Sequence, residues 1–294
     1  MMLLVFLAQV LSASTPLVLA TLGGVLSERA GVTMLGLEGM LLVGAFAAVV
    51  AGLGTGSVLL ALVFAALAGA LFGLLFAGFA VGLRANAVVV GVAMNLLAMA
   101  GTRAALKVLY GSASNSPTLP TTAGGGGSLA LGALRDAVST PTVWIAPLLV
   151  AATAGLLGRT VLGLRITACG ENELAARSLG ISVPRVRATA LAIGGALAAL
   201  GGAQLGLHQH AFVAGMSGGR GFLAVAAVIL GRWRPVRAAV WATAIGALGA
   251  LEATLAGHGG VPPVLLQALP FAVTLGAVAG TWGRARPPAA LDGV

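Results

Sequence analysis

The chain has 294 residues, of which 59% are hydrophobic and only 8% charged, with a formal net charge of +9. A mean hydropathy of +1.06 and so few charges, against roughly 25% in an ordinary soluble domain, exclude a soluble fold. Nucleic acid is excluded as a partner because the arginines stand singly between apolar runs instead of clustering on one face.

The apolar stretch from Met1 to Gly24 lacks the basic start of a secretory signal and has the roughly 20 residues a crossing needs, so it reads as a retained first span. Arg29 follows, and Val32 to Leu53 forms a second span interrupted by Gly36, Glu38 and Gly39. After an uncharged turn, Val58 to Leu83 is the third span, with Gly69 and Gly73 spaced for close helix approach. Arg84 closes it, and Asn86 to Met99, containing Asn95, begins the fourth. Residues 110–141 have the Gly- and Ser-rich composition of a flexible extracytoplasmic loop, in which a cysteine placed at Ser116 is expected to meet a reagent from outside.

Pro141 to Leu162 is the fifth span. The longest polar interruption follows, from Arg165 to Arg187. There Asn172 is placed to cap a helix of barely two turns, with Glu171 and Glu173 at its start, Arg177 near its end, and Gly180 and Pro184 terminating it. Ala175 and Ala176, flanked by Leu174 and Leu179, give it a small smooth face suited to another protein's groove. Val186 to Leu207, rich in Gly and Ala, is the sixth span. Phe222 to Leu230 has about half the length a crossing needs. It reads as a broken span in which Ala211 to Gly215 enters, MSGGRG unwinds and Phe222 to Gly231 finishes. Arg237 to Leu255 and Pro263 to Trp282 complete the bundle.

The expected fold is therefore all-α, a single transmembrane domain over residues 1–294 with about nine spans, two of them broken. Basic residues prefer cytoplasmic loops. With the N-terminus outside and the C-terminus inside, Arg29, Arg84, the Arg159 to Arg187 region, Arg232, Arg234, Arg237, Arg284 and Arg286 fall inside, leaving Arg103, Lys107, Arg135 and Arg220 outside.

A carboxylate in lipid is costly, so Glu38 is expected to face the protein interior. Paired Gly-interrupted segments in two halves of a transporter point to a translocation site. The candidate substrate path is thus Glu38, Asn95, Gly36 and Gly39, with Phe222 at the second break. Asn95 reads equally well as a bond between helices. No catalytic constellation and no GxxxxGK phosphate loop is present, and no cofactor or metal is indicated. His208 and His210 read as interfacial side chains, and the single cysteine, Cys169, allows no internal disulfide.

The segments TLGGVLSERAGVTMLGLEGMLLVGAFAAVVAG, RANAVVVGVAMNLLAM, GENELAARSLGI and GRGFLAVAAVILGRWRPV resemble the membrane permease subunits of ATP-binding-cassette importers for nucleosides and simple sugars, of the ribose-type and branched-chain-like group. The likeness covers most of the chain between Thr21 and Leu255. It implies a translocation path driven by a separate ATPase subunit, fed by an extracellular substrate-binding protein, and completed in the lipid bilayer of the cell membrane by a second permease, with a heterodimer favoured. It also implies an ATPase-coupling role for Glu171, Asn172, Ala175, Ala176 and Gly180. A secondary transporter is the alternative, weakened because Glu38 is the one clearly intramembrane acid in the spans as read.

Overall fold

The computed structural model describes residues 2–119, 141–256, 263–281 and 287–291. The helices are α1 (Met2–Arg29), α2 (Leu37–Thr55), α3 (Val58–Ala77), α4 (Ala87–Tyr110), α5 (Pro141–Arg159), α6 (Val161–Glu171), α7 (Glu173–Ser178), α8 (Val183–His208), α9 (Arg220–Leu230), α10 (Pro235–Ala256) and α11 (Pro263–Thr281). A π turn, Gly78–Gly82, extends α3, and a short 3-10 turn, Ala289–Leu291, lies near the C-terminus. Polar side chains start the helices where the chain re-enters them. Asn86 accepts from the N–H of Val88 at 2.9 Å, and Thr160 from that of Gly163 at 3.1 Å, each relieving main-chain donors that have no partner inside the helix.

Helix α8 sits at the centre and packs on α1, α2 and α3. Its small residues let main chains touch. Gly194 meets Gly23 of α1, a methyl on Gly202 would land on the carbonyl oxygen of Leu41 in α2, and one on Gly195 would land on that of Gly69 in α3. In lipid, apolar side chains gain little by leaving an apolar solvent, so close van der Waals contact through small residues holds helices together instead. The outer faces of α3 and α4 stay apolar and exposed, including Leu59, Leu67, Leu71, Val89 and Leu96.

Among the described residues, six helices are long and apolar enough to cross a membrane: those beginning at Phe6, Leu37, Val58, Ala87, Pro141 and Val183. Several expected boundaries move. Helix α1 continues through Ser27 and Glu28 to Arg29, and α4 runs on from Met99 to Tyr110, taking Arg103 and Lys107 into the helix. The second span is not interrupted inside. Residues 32–36 are non-helical and α2 starts late, so Glu38 and Gly39 occupy its first turn.

The seventh span differs more. Residues 211–215 form no half-helix; they run beside 114–119, with an antiparallel bridge between Asn115 and Val213. The described part of the expected flexible loop is therefore tied down, and Ser116 is buried at 9% exposure, a poor site for an external reagent. Residues 120–140, including Arg135, and 282–286, including Trp282, Arg284 and Arg286, lie outside the described residues.

Candidate functional site

The starts of α2 and α9 face each other. Glu38 projects from the first turn of α2, and one of its oxygens accepts from the Ser217 hydroxyl at 2.5 Å and the Gly219 N–H at 2.8 Å. The other oxygen accepts from the Gly221 N–H at 2.7 Å. A carboxylate offers about four lone-pair positions, so three donors fill most of them. The fit demands glycine at 221, since a Cβ there would strike the Glu38 main chain. Helix α9 can start here because Gly219 takes a φ of +81°, open to glycine at little cost, and because its N-terminal N–H groups suit a negative partner.

Asn95 of α4 holds the other side of the same turn. Its carbonyl oxygen accepts from the Gly39 N–H at 2.8 Å and its amide donates to the Leu35 carbonyl at 2.9 Å. Gly36 packs against Phe76 of α3 and close to Gly91 of α4. The structure thus brings together Glu38, Gly36, Gly39 and Asn95, and adds Ser217, Gly219 and Gly221. Phe222, one residue further into α9, is exposed.

The polar stretch forms a separate site. Asn172 caps α7 by accepting from the Ala175 N–H at 3.0 Å, and Gly180 ends the turn at φ +76°. Glu171 belongs to the end of α6 instead of the first turn of α7. Ala176 is turned inward at 1% exposure, packed with Ile166, Cys169 and Val183, so it is not part of the outward face. That face consists of Ala175 with Leu174 and Leu179, which are 78% and 79% exposed.

Arg187 joins the two sites, a role its sequence position gave no hint of. Its guanidinium pairs with Glu173 at 3.0 Å and donates to the Ala30 carbonyl at 3.0 Å. Ala30 opens the 30–36 connection that leads into Glu38. Burial raises the Glu173 carboxyl, but Arg187 and Arg177 together outweigh it and hold the group below its ordinary range. A cavity of about 660 Å³, lined by Thr33, Arg84, Asn86, Asn172, Glu173 and Arg187 among others, opens between this connection and α7.

Beside it, Glu28 at the end of α1 is buried at 3% exposure and accepts from the Trp233 indole N–H at 2.5 Å, while Arg29 donates to the Trp233 carbonyl at 2.9 Å. These bonds hold Arg232 and Trp233 at φ +53°, a left-handed conformation that costs a side-chain-bearing residue roughly 1–2 kcal/mol. Glu28 thus lies within α1, four residues past the Gly24 end expected for the first span.

A helical bundle of apolar spans, with Glu38 accepting from one hydroxyl and two main-chain N–H groups and a short capped helix presented at one end, has the build of a membrane transport subunit. The chain belongs to the family described as branched-chain amino acid transport system / permease component, whose match spans residues 6–280. It is 35% identical over 295 residues to the guanosine ABC transporter permease protein NupQ of Bacillus subtilis, covering 94% of this chain and 92% of that one. To the nucleoside ABC transporter permease protein NupC of Lactococcus lactis it is 32% identical, covering 99% and 96%. To the putative glucose ABC transporter permease protein TsgC13 of Haloferax volcanii it is 37% identical, covering 82% and 74%. No solved structure matches the chain. It is a multi-pass cell-membrane permease of an ABC importer, a class that works with an ATPase subunit and a substrate-binding protein.

Proposed function

We propose that this chain forms half of the translocation path of a nucleoside importer, paired with a second, different permease. The observation that carries the substrate class is the nearly full-length likeness to two permeases named for guanosine and nucleoside transport. The heterodimer is supported by a second guanosine permease protein of Bacillus subtilis, NupP, to which the chain is only 28% identical. Nine crossings with the N-terminus outside put α7 in the cytoplasm, where Leu174, Ala175 and Leu179 sit in a groove of the ATPase. The capped turn of Asn172 and Gly180, and Glu171 at the end of α6, set the angle at which that face is offered.

Force applied at α7 reaches Arg187 through Glu173, then Ala30 and the 30–36 connection, and so the start of α2. There Glu38 clamps α9. The clamp is the closed state of the path, which Gly36, Gly39, Asn95 and Phe222 line; when α9 moves away, the Glu38 carboxylate is freed to accept from ribose hydroxyls. Unwound main chain at membrane depth needs protein or a wet cavity around it, and the meeting of the α2 and α9 starts supplies the first.

The test is uptake by the complete importer in proteoliposomes, with labelled guanosine, other nucleosides and glucose offered in parallel. ATP-dependent accumulation of nucleosides, with glucose excluded, is expected. Accumulation of glucose alone overturns the substrate class, and accumulation without the ATPase subunit overturns the importer reading.

A further inference from the structure

The non-helical residues 209–219 that precede α9 are covered from one side by residues 112–119, which leave the end of α4. The Ser116 N–H donates to the Phe212 carbonyl at 2.9 Å, and the Ala214 N–H to the Ser114 carbonyl at 2.8 Å. The Leu119 N–H donates to the His210 carbonyl at 2.6 Å. The Ser116 hydroxyl accepts from the Phe212 N–H at 2.9 Å and donates to the Pro117 carbonyl at 2.9 Å. Phe212 itself is fully buried and stands edge-on to Phe46 of α2, ring centroids 5.4 Å apart. From this anchor, tight turns lead directly inward. The Met216 N–H donates to the Val213 carbonyl at 3.0 Å, Arg220 closes back on the Met216 carbonyl at 3.0 Å, and Ser217 and Gly219 bind Glu38.

We propose that residues 112–119 are a strap that peels from residues 210–214 in each transport cycle, and that its release frees the turn clamped by Glu38. The proposal rests on the permease reading above. Two properties suit the segment to this task. A lone two-stranded pairing is marginal in water, since it lacks a third strand, and both Asn115 and Val213 are exposed, so the bridging pair opens from the surface, with Leu119 withdrawing from its partly buried packing near Gly52 of α2. Opening it also strips the main chain at Phe212 and Ala214 of partners, and such groups are tolerated only where water reaches them. Strap release and hydration of the path are therefore one event: with the strap down the turn is dry and closed, and with the strap up the turn needs water.

Asn115 and Val213 make the test direct. Hydrogen bonds on either side of them, but none between them, make them a non-hydrogen-bonded antiparallel pair, whose side chains lie close. Such a site suits a disulfide. The Asn115→Cys/Val213→Cys variant is assembled into the complete importer and reconstituted with guanosine as the probe. On mild oxidation the thiols of this chain, counted by mass spectrometry after denaturation, should fall from three, including native Cys169, to one. Uptake by the oxidised complex should fall roughly tenfold or more, because a locked state cannot exchange with its open partner, and a reductant should restore it. Bridging the reduced pair with a long flexible bismaleimide should leave substantial uptake, which separates a blocked motion from a damaged site. Wild-type uptake by the cross-linked complex overturns the strap while leaving the permease reading intact, as does a pair that never cross-links. If wild-type and reduced variant alike take up no nucleoside while the ATPase turns over, it is the permease reading that fails.

Discussion

Glu38 accepts the Gly221 N–H at 2.7 Å across 183 residues of sequence, joining the first turn of α2 to the first turn of α9. Glu38→Gln keeps the shape but replaces an acceptor with a donor, so one of the three donors now faces an N–H. A buried donor left unmet costs about 1–3 kcal/mol. The variant complex should assemble and retain basal ATPase activity, yet show a lower melting temperature and sharply reduced uptake. Wild-type uptake would remove both the clamp and the path from Glu38.

The two alanines of α7 should behave oppositely. Ala175→Trp adds bulk to the exposed face and should abolish copurification of the ATPase without changing expression. Ala176→Trp forces an indole into the cluster of Ile166, Cys169 and Val183, and overpacking of this kind costs about 1–3 kcal/mol or more. Expression and thermal stability, not docking alone, should suffer. Equal expression of the two variants would contradict the inward placement of Ala176.

Glycine substitutions should likewise divide by their neighbours. A methyl at Gly202 collides with Leu41 main chain, whereas one at Gly101 meets open space. Gly202→Ala should lower the melting temperature of the purified subunit. Gly101→Ala should leave it unchanged or raise it slightly, alanine being favoured over glycine in a helix by about 0.5–1 kcal/mol.

The tie between Glu173 and Arg187 has a defined pH window. A carboxyl held below its ordinary value contributes stability that is fully present above the unfolded value and is lost as pH falls through the lower folded one. ATPase association should therefore hold at neutral pH and through the ordinary carboxylate range, and weaken only in more acidic buffer. Glu173→Gln should weaken it at neutral pH and flatten the acid response, measured by copurification across a pH series.

Cys169 should resist maleimide from either side of the membrane. It is fully buried, and burial pushes its thiol up, a shift that Arg187 offsets in part and Glu173 adds to. The thiolate is the reactive form. Mass spectrometry of labelled membranes should find it unmodified until denaturant is added.

What the sequence made legible was whatever apolar length and single charges dictate. The runs that became α1 to α5 and α8 were readable, as was the Asn172 cap, because cap, acid and glycine signals are local. Glu38 was readable as an anomaly, since a carboxylate in an apolar run demands donors. Which donors was not readable, because Ser217, Gly219 and Gly221 look like an ordinary glycine turn until α9 is placed against α2. Ala176 was misplaced for a related reason: in a helix of fewer than two turns, adjacent alanines point about 100° apart, and only tertiary packing decides which is inside. The pairing of 114–116 with 212–214 left no mark, because its bonds are mostly main-chain and indifferent to side chains.

The glycine contacts around α8 bear on how such a subunit can change shape. Where main chains already touch, as at Gly194 with Gly23 and Gly202 with Leu41, there is no side-chain layer to repack, so neither sliding nor tilting has an alternative arrangement to reach. Helices α1, α2, α3 and α8 therefore behave as a stator. Spin labels placed on any two of them should keep one narrow distance distribution throughout turnover, while labels on α9 or on residues 112–119 broaden or split against the same reference. On the strap proposal, α9 and residues 112–119 turn against a frame whose main chains are held in contact because its residues are small.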